Sequence, residues 1–256
     1  MKAPGIPATM WTFQAMIDSE TTRLLARHYG LALTERDHLL VCALILARLF
    51  GGTGKVPLLR SRGAALTGPL AIAQHFDAAL PAANRLIPDA PSLAAQVSAD
   101  WEAYNDDLGT AVAVYAYFHL LFERALMQPI FATPVPWIEA ALLPLTYPVL
   151  RAVITSGLKL SAEAAAAAAK TILASFDATD ARIADGRRFL AGDRLTLGDI
   201  ALCGAAAPLL LPRGYGALMP PLEAMPLALR TLMEGLRARP TAAFVQRLYD
   251  TAFDGS

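Results

Sequence analysis

Hydrophobic positions fall in short clusters up to about Leu80 and in long helical stripes after Ser92. Met10-Trp11-Thr12-Phe13 is short and rich in strand formers, which predicts a first strand. Asp18-Ser19-Glu20 supplies a helix start with carboxylates at the positive helix end, and Gly30 supplies the stop. Leu31 to Asp37 predicts a second strand, and Leu39 to Phe50 a helix that ends at Gly51-Gly52. Val56 to Arg60 and Ala64 to Leu66 predict a hairpin turning on Arg62-Gly63. Pro69 then sits in the first turn of a helix, where its missing N–H costs little. The predicted order is β-α-β-α-β-β-α.

Pro81, Pro88 and Pro91 frame a linker, and nearly everything beyond it reads helical. Long helices are expected over Ser92 to Met127, Trp137 to Leu158 and Ser161 to Asp185. The run Ala162 to Lys170 is low in complexity, yet alanine is the best helix former, so an ordered helix is expected. Thr196 with Asp199 three residues later forms a capping box, and Leu195 is placed as a hydrophobic staple. The helix that follows, Leu197 to Leu211, is almost wholly apolar and belongs in a core. The division is residues 1–81, a linker at 82–91, and a helical part at 92–256.

Composition narrows the function classes. Among 256 residues, 22 basic side chains balance 22 acidic ones, which leaves no field to attract nucleic acid or acidic lipid. Hydrophobic residues make up 55%, which argues against disorder and allows a subunit interface. Cys42 and Cys203 lie in apolar surroundings and read as buried thiols of a reducing compartment. The N-terminus lacks the apolar core of a secretory signal. Trp137 to Ile154 carries Glu139, Pro144, Pro148 and Arg151, and the apolar run Leu39 to Phe50 is too short to cross a bilayer, so no transmembrane segment is expected. The expected place is the cytoplasm. His28, His38, His75 and His119 are scattered without metal-ligand spacing, so no metal is expected. Gly51-Gly52-Thr53-Gly54-Lys55 precedes a strand and not a helix, so it is no phosphate loop.

Three segments in order carry a family resemblance: Thr22 to Leu31 (TRLLARHYGL), Gly54-Lys55-Val56-Pro57, and Arg188 to Ala201 (RFLAGDRLTLGDIA). Together they resemble the glutathione transferases, from Met10 to about Tyr249. The resemblance implies an α+β fold: a thioredoxin-like N-terminal domain (βαβαββα) followed by an all-α helical domain. It also implies a homodimer, glutathione as the thiol, and a cis bond before Pro57 that turns the Val56 main chain toward a ligand.

In that family a Ser, Cys or Tyr after the first strand stabilises the thiolate, which is the nucleophile. Here Met16 stands at that place, and a thioether cannot donate a hydrogen bond. Ser19 is the nearest hydroxyl and the candidate catalytic residue; a helix cap is its alternative role. Lys55, Val56, Pro57 and Gly68 form the candidate thiol-binding set. The acidic residue and Ser that hold the γ-glutamyl end are replaced by Gly68-Pro69, which would cost roughly two hydrogen bonds to charged groups at about 1.5–3 kcal/mol each. That weakens glutathione binding by about a hundredfold or more. Met16, Trp101, Tyr104 and Asn105 are the candidate lining of an acceptor pocket.

Two readings stay open. One is an enzyme that transfers or removes glutathione or another small thiol on an apolar electrophile. The other is a non-catalytic protein of the same fold that binds an apolar ligand or a protein partner. The helix Leu39 to Phe50, apolar on nearly every face, is expected to be covered by a subunit, by the helical domain or by a ligand.

Overall fold

The computed structural model describes residues 5–252. The chain ends, including the start of the segment read for a signal, lie outside them. β1 (Ile6–Thr12) and β2 (Leu31–Asp37) run parallel, from Ile6 opposite Leu31 to Thr12 opposite Asp37. That ladder extends β1 beyond Met10–Phe13: Pro7 and Ala8 are weak strand formers recruited by pairing. β3 (Leu58–Ser61) pairs antiparallel with β1 and with β4 (Ala64–Thr67), giving the order β2-β1-β3-β4. Arg62 (φ 48°) and Gly63 (φ 85°) are both left-handed, the backbone that matches a two-residue hairpin to the twist of its strands. β2 is an edge strand, and its charged sequence suits that position.

α1 (Ile17–His28), α2 (Leu40–Leu49) and α3 (Pro69–Asp77) complete this half. Met16, and not Ser19, is the N-cap of α1, and its side chain makes no capping bond. Only Ala43 and Ala47 of α2 are buried, while Ile45 is 56% and Leu49 74% exposed. The chain's own helical part therefore does not cover α2.

In the second half, α4 (Pro91–Trp101), a π-helical stretch (Glu102–Leu108) and α5 (Gly109–Leu120) form one continuous rod. The single helix expected to reach Met127 stops earlier. Arg124 N–H bonds to Phe122 O (3.0 Å) around Glu123 at φ −82°, ψ 69°, an inverse γ-turn, before α6 (Arg124–Ala132). α7 (Trp137–Gly157) and α8 (Ala162–Ile183) follow, the latter capped by Ser161 Oγ accepting from Ala164 N–H at 3.0 Å. Among the described residues, α7 alone is long and apolar enough to cross a membrane, by length and composition only; Trp137 (77%) and Leu145 (79%) lie exposed on it.

α9 (Leu197–Leu210) is buried along nearly its whole length, with α10 (Leu227–Arg237) and α11 (Pro240–Thr251) against it. The Asp199 carboxylate accepts from Thr196 N–H (2.9 Å) and Leu190 N–H (2.8 Å), and burial still pushes its pKa up to about 6. α9 also packs on α1, where a Cβ on Gly204 would lie 3.2 Å from Thr21 Cα, so the two halves meet almost backbone to backbone. Beside that contact Arg23 is buried between Glu35, bonded through Nε and Nη2, and Glu20 (3.1 Å). Glu20 in turn accepts from Tyr249 Oη (2.9 Å) and Gly216 N–H (3.1 Å).

Candidate functional site

β1 delivers the loop Phe13–Met16 to the place where α5, α6 and α7 converge. Gln14 is buried and pins the loop: its Nε2 donates to Ile130 O (3.2 Å), and its Oε1 accepts from Leu218 N–H (2.8 Å). Phe13 packs against Phe131 (ring centroids 5.3 Å apart), and Tyr117 Oη donates to Ala15 O (3.1 Å). Elements far apart in sequence thus hold the loop open against α5.

The space between these elements is an open cavity of about 470 Å³. Met16 and Ile17 line it from the start of α1, Val112 and Ala113 from α5, Met127 from α6 and Ile154 from α7. Its polar groups include Asp18, Asn105 and Asp106. Asp18 is half-buried in the first turn of α1; burial, with the Asp106 carboxylate adding to it, pushes its pKa up to about 6. Asn105 Nδ2 donates to Asp106 Oδ1 at 3.0 Å. Among the described residues, no arginine or lysine forms an ion pair with either aspartate.

The residues expected from sequence divide. Met16 and Asn105 line the cavity together. Ser19 does not: it is fully buried, its Oγ donates to Phe13 O (3.0 Å), and it shares a short hydrogen bond with Thr12 Oγ1. At the third helical position of α1 its hydroxyl bonds back into the loop. Trp101 and Tyr104 belong to the core, with Tyr104 Oη bonded to Thr179 Oγ1 at 3.1 Å. Trp101 and Tyr104 turn into the core, while Asn105, expected with them, reaches the cavity together with Asp106 of the same π-helical stretch. Val56 and Pro57 are buried across a cis peptide bond, Lys55 is exposed, and Gly68 (φ 82°) donates its N–H to Pro57 O at 2.9 Å. These four stand together where β3 and α3 begin, and none lines the cavity. No group of three or more His, Cys, Asp or Glu suited to a metal occurs among the described residues.

Residues 162–238 match the family model described as glutathione S-transferase, C-terminal domain. A crystal structure of a glutathione S-transferase from Methylobacillus flagellatus with bound gsh is similar over 95% of this chain and 95% of that one, at 14% identity and a TM-score of 0.59. A glutathione S-transferase from Sinorhizobium meliloti is similar over 93% and 91%, at 16% identity and a TM-score of 0.55. For a glutathione transferase from Populus trichocarpa the values are 96%, 100%, 12% and 0.54. The chain has the glutathione S-transferase fold. No curated protein matches it.

Within this glutathione transferase fold, sequence reasoning missed the part of the cavity lined by α6 and α7. α6 and α7 pack mainly on each other and reach the first half through a few contacts. Glu139 is the main polar one: its carboxylate accepts from Leu39 N–H (2.7 Å) and is hydrogen-bonded to His38 Nδ1 (2.6 Å), which fastens α7 to the start of α2. Nothing in an apolar helical stripe distinguishes a cavity lining from ordinary core, so no sequence signal marked Met127 or Ile154. Asp18 and Asp106 are ordinary acidic residues until the fold places both at one cavity.

Proposed function

We propose that this glutathione-transferase-fold protein binds an apolar small molecule in the cavity between its halves and does not activate a thiol through Ser19. The observation that carries the reading is the cavity lining where β1 leads into α1. Met16 offers a thioether there, while the Ser19 hydroxyl is spent on Phe13 O and Thr12. Weak glutathione binding accompanies it, because Gly68 and Pro69 supply neither a carboxylate for the ammonium group nor a hydroxyl for the carboxylate. Purified protein should carry or take up an apolar molecule and conjugate glutathione to a general electrophile no faster than the uncatalysed reaction. Low-micromolar glutathione affinity by calorimetry would refute it.

One observation favours a transferase as the second reading. Tyr117 lines the cavity and places its hydroxyl beside Ala15, in the loop where the family resemblance puts thiol activation. Burial pushes its pKa well above the usual phenol value, so it stays a neutral phenol, and it would donate to a thiolate only by exchanging its bond to Ala15 O. Conjugation that is lost in Tyr117→Phe and kept in Ser19→Ala would establish this reading. A homodimer is proposed on the family resemblance with the apolar composition beside it, and a cytoplasmic place on the cysteine usage and the lack of a signal core; light scattering that gives a particle near 27.2 kDa would refute the dimer.

A further inference from the structure

α2 and α7 carry apolar faces that the described residues leave open. On α2, Val41, Ile45 and Leu49 recur at helical spacing and are exposed, while Ala43 and Ala47 on the opposite side are buried. On α7, Ile138, Leu142, Leu145 and Val149 do the same over about 16 Å of helix. Leu143, Tyr147, Leu150 and Ile154 are buried behind them. The two exposed rows begin at one place, because the Glu139 carboxylate ties α7 to Leu39 N–H and His38 at the start of α2. Single exposed apolar residues are ordinary, but two joined rows of them mark a surface that meets something apolar.

The charge around this face narrows what that is. The whole chain balances 22 basic against 22 acidic residues, yet the segments bearing the face do not balance. Residues 39–55 and 122–160 hold Arg48, Lys55, Arg124, Arg151 and Lys159, all exposed. Their acids are Glu123 and Glu139, and the second is committed to the tie with α2. Arg48 stands on the exposed row of α2, and Arg151 lies over the ring of exposed Phe122 at 5.1 Å. Trp137 is exposed at the N-terminal end of α7, an amphipathic ring of the kind that favours the boundary between lipid and water.

An apolar face bordered by cations fits the surface of an anionic bilayer, where acyl chains take the apolar side chains and phosphates take the guanidinium and ammonium groups. A second copy fits less well: in a two-fold pair the same face meets itself and sets cations against cations. α7 is long and apolar enough to cross a bilayer, but its buried row and the Glu139 tie hold one side in the fold, so it lies along the surface. We propose that this face of α2 and α7 seats the protein on an anionic lipid surface, with Val41, Ile45, Leu145 and Val149 entering the acyl boundary and Arg48 and Arg151 meeting headgroup phosphates. The proposal goes beyond ligand binding in the cavity and does not depend on it. Leu40 and Val153 line the cavity from the same two helices, so the apolar cavity and the lipid-facing surface share their walls.

The test is flotation of the full chain with vesicles of phosphatidylcholine alone and of phosphatidylcholine with about one-third phosphatidylglycerol. Association with the anionic vesicles should be about tenfold or more the stronger, and it should weaken as salt is raised. Trp137 is exposed where Trp101 is buried and Trp11 half-buried, so fluorescence should shift to the blue on binding and lose that shift in Trp137→Phe. Leu145→Glu with Val149→Glu should abolish association with both vesicles, while Leu227→Glu, at a comparably exposed apolar site on α10, should leave it unchanged. Arg48→Gln with Arg151→Gln should remove the preference for anionic vesicles. All these side chains are exposed, and circular dichroism of each variant confirms that loss of binding is not loss of fold. No association with anionic vesicles, equal association with both kinds, or association that survives Leu145→Glu with Val149→Glu overturns the proposal. A dimer that the same pair of substitutions breaks, without vesicle binding, overturns it and assigns the face to a second copy. None of these outcomes bears on the cavity, whose reading stands or falls on ligand uptake and glutathione affinity.

Discussion

Asp18→Asn is expected to stabilise the protein near neutral pH, against the usual direction of a substitution. A carboxyl held at about 6 in the folded chain, against an ordinary value of 3.8, binds its proton more tightly folded than unfolded. The stability this provides is fully present below 3.8 and is lost as pH rises through about 6. Above that, ionised Asp18 costs about 3 kcal/mol at 1.36 kcal/mol per pH unit. Asparagine removes that cost. It also removes a negative charge from the first turn of α1, which forfeits about 0.3–1 kcal/mol of helix-dipole attraction. The desolvation effect wins, and a net gain of about 2 kcal/mol remains near pH 8, worth a rise in Tm of about 4–8 °C for a chain of this size. Asp37 and Asp199 are also pushed up to about 6 and bend the curves of both proteins alike, so the quantity to follow is the difference between variant and parent. Urea unfolding from about pH 4 to about pH 8 measures it, with the difference closing toward the acid end. A variant no more stable than its parent at pH 8, or a gap independent of pH, would refute the placing of Asp18 in a dehydrated site beside Asp106.

Three further outcomes follow from the packing. Gly204→Ala drives a methyl group into Thr21 Oγ1 and sets it 3.1 Å from Thr21 Cβ and 3.2 Å from its Cα, so it should cost about 1–3 kcal/mol in urea unfolding; a neutral result would mean that α1 and α9 are not in close contact there. Arg23→Met leaves Glu20 buried with only Tyr249 Oη and Gly216 N–H, and a loss of about 3–5 kcal/mol is expected; less than about 1 kcal/mol would show that the pair is not buried. Glu139→Gln weakens the tie between α7 and the start of α2, so hydrogen exchange should quicken at both His38–Leu39 and α7; unchanged protection would deny Glu139 that fastening role.

Much of the architecture was legible because it depends on short-range chemistry. The stops at Gly30 and Gly51, the turn at Arg62-Gly63, Pro69 at a helix start and the Thr196–Asp199 box each act through backbone groups a few residues away, so the sequence alone located them. Strand length was less legible: β1 reaches Ile6 because β2 lies beside it, and pairing is a long-range fact. The site was the least legible part. Ser19 looks like a free hydroxyl near a helix start, but beginning the helix at Ile17 turns its hydroxyl back onto Phe13 O. Trp101 and Tyr104 look like pocket residues but pack into the core, while Asn105, which the sequence pointed to, and Asp106, which it did not, line the cavity. What the sequence by itself determined was the order of elements and their local punctuation. Only the tertiary structure decided which groups line one cavity, because the charge acting on Asp18 comes from Asp106 in the π-helical stretch and the apolar lining from α5, α6 and α7, all remote along the chain.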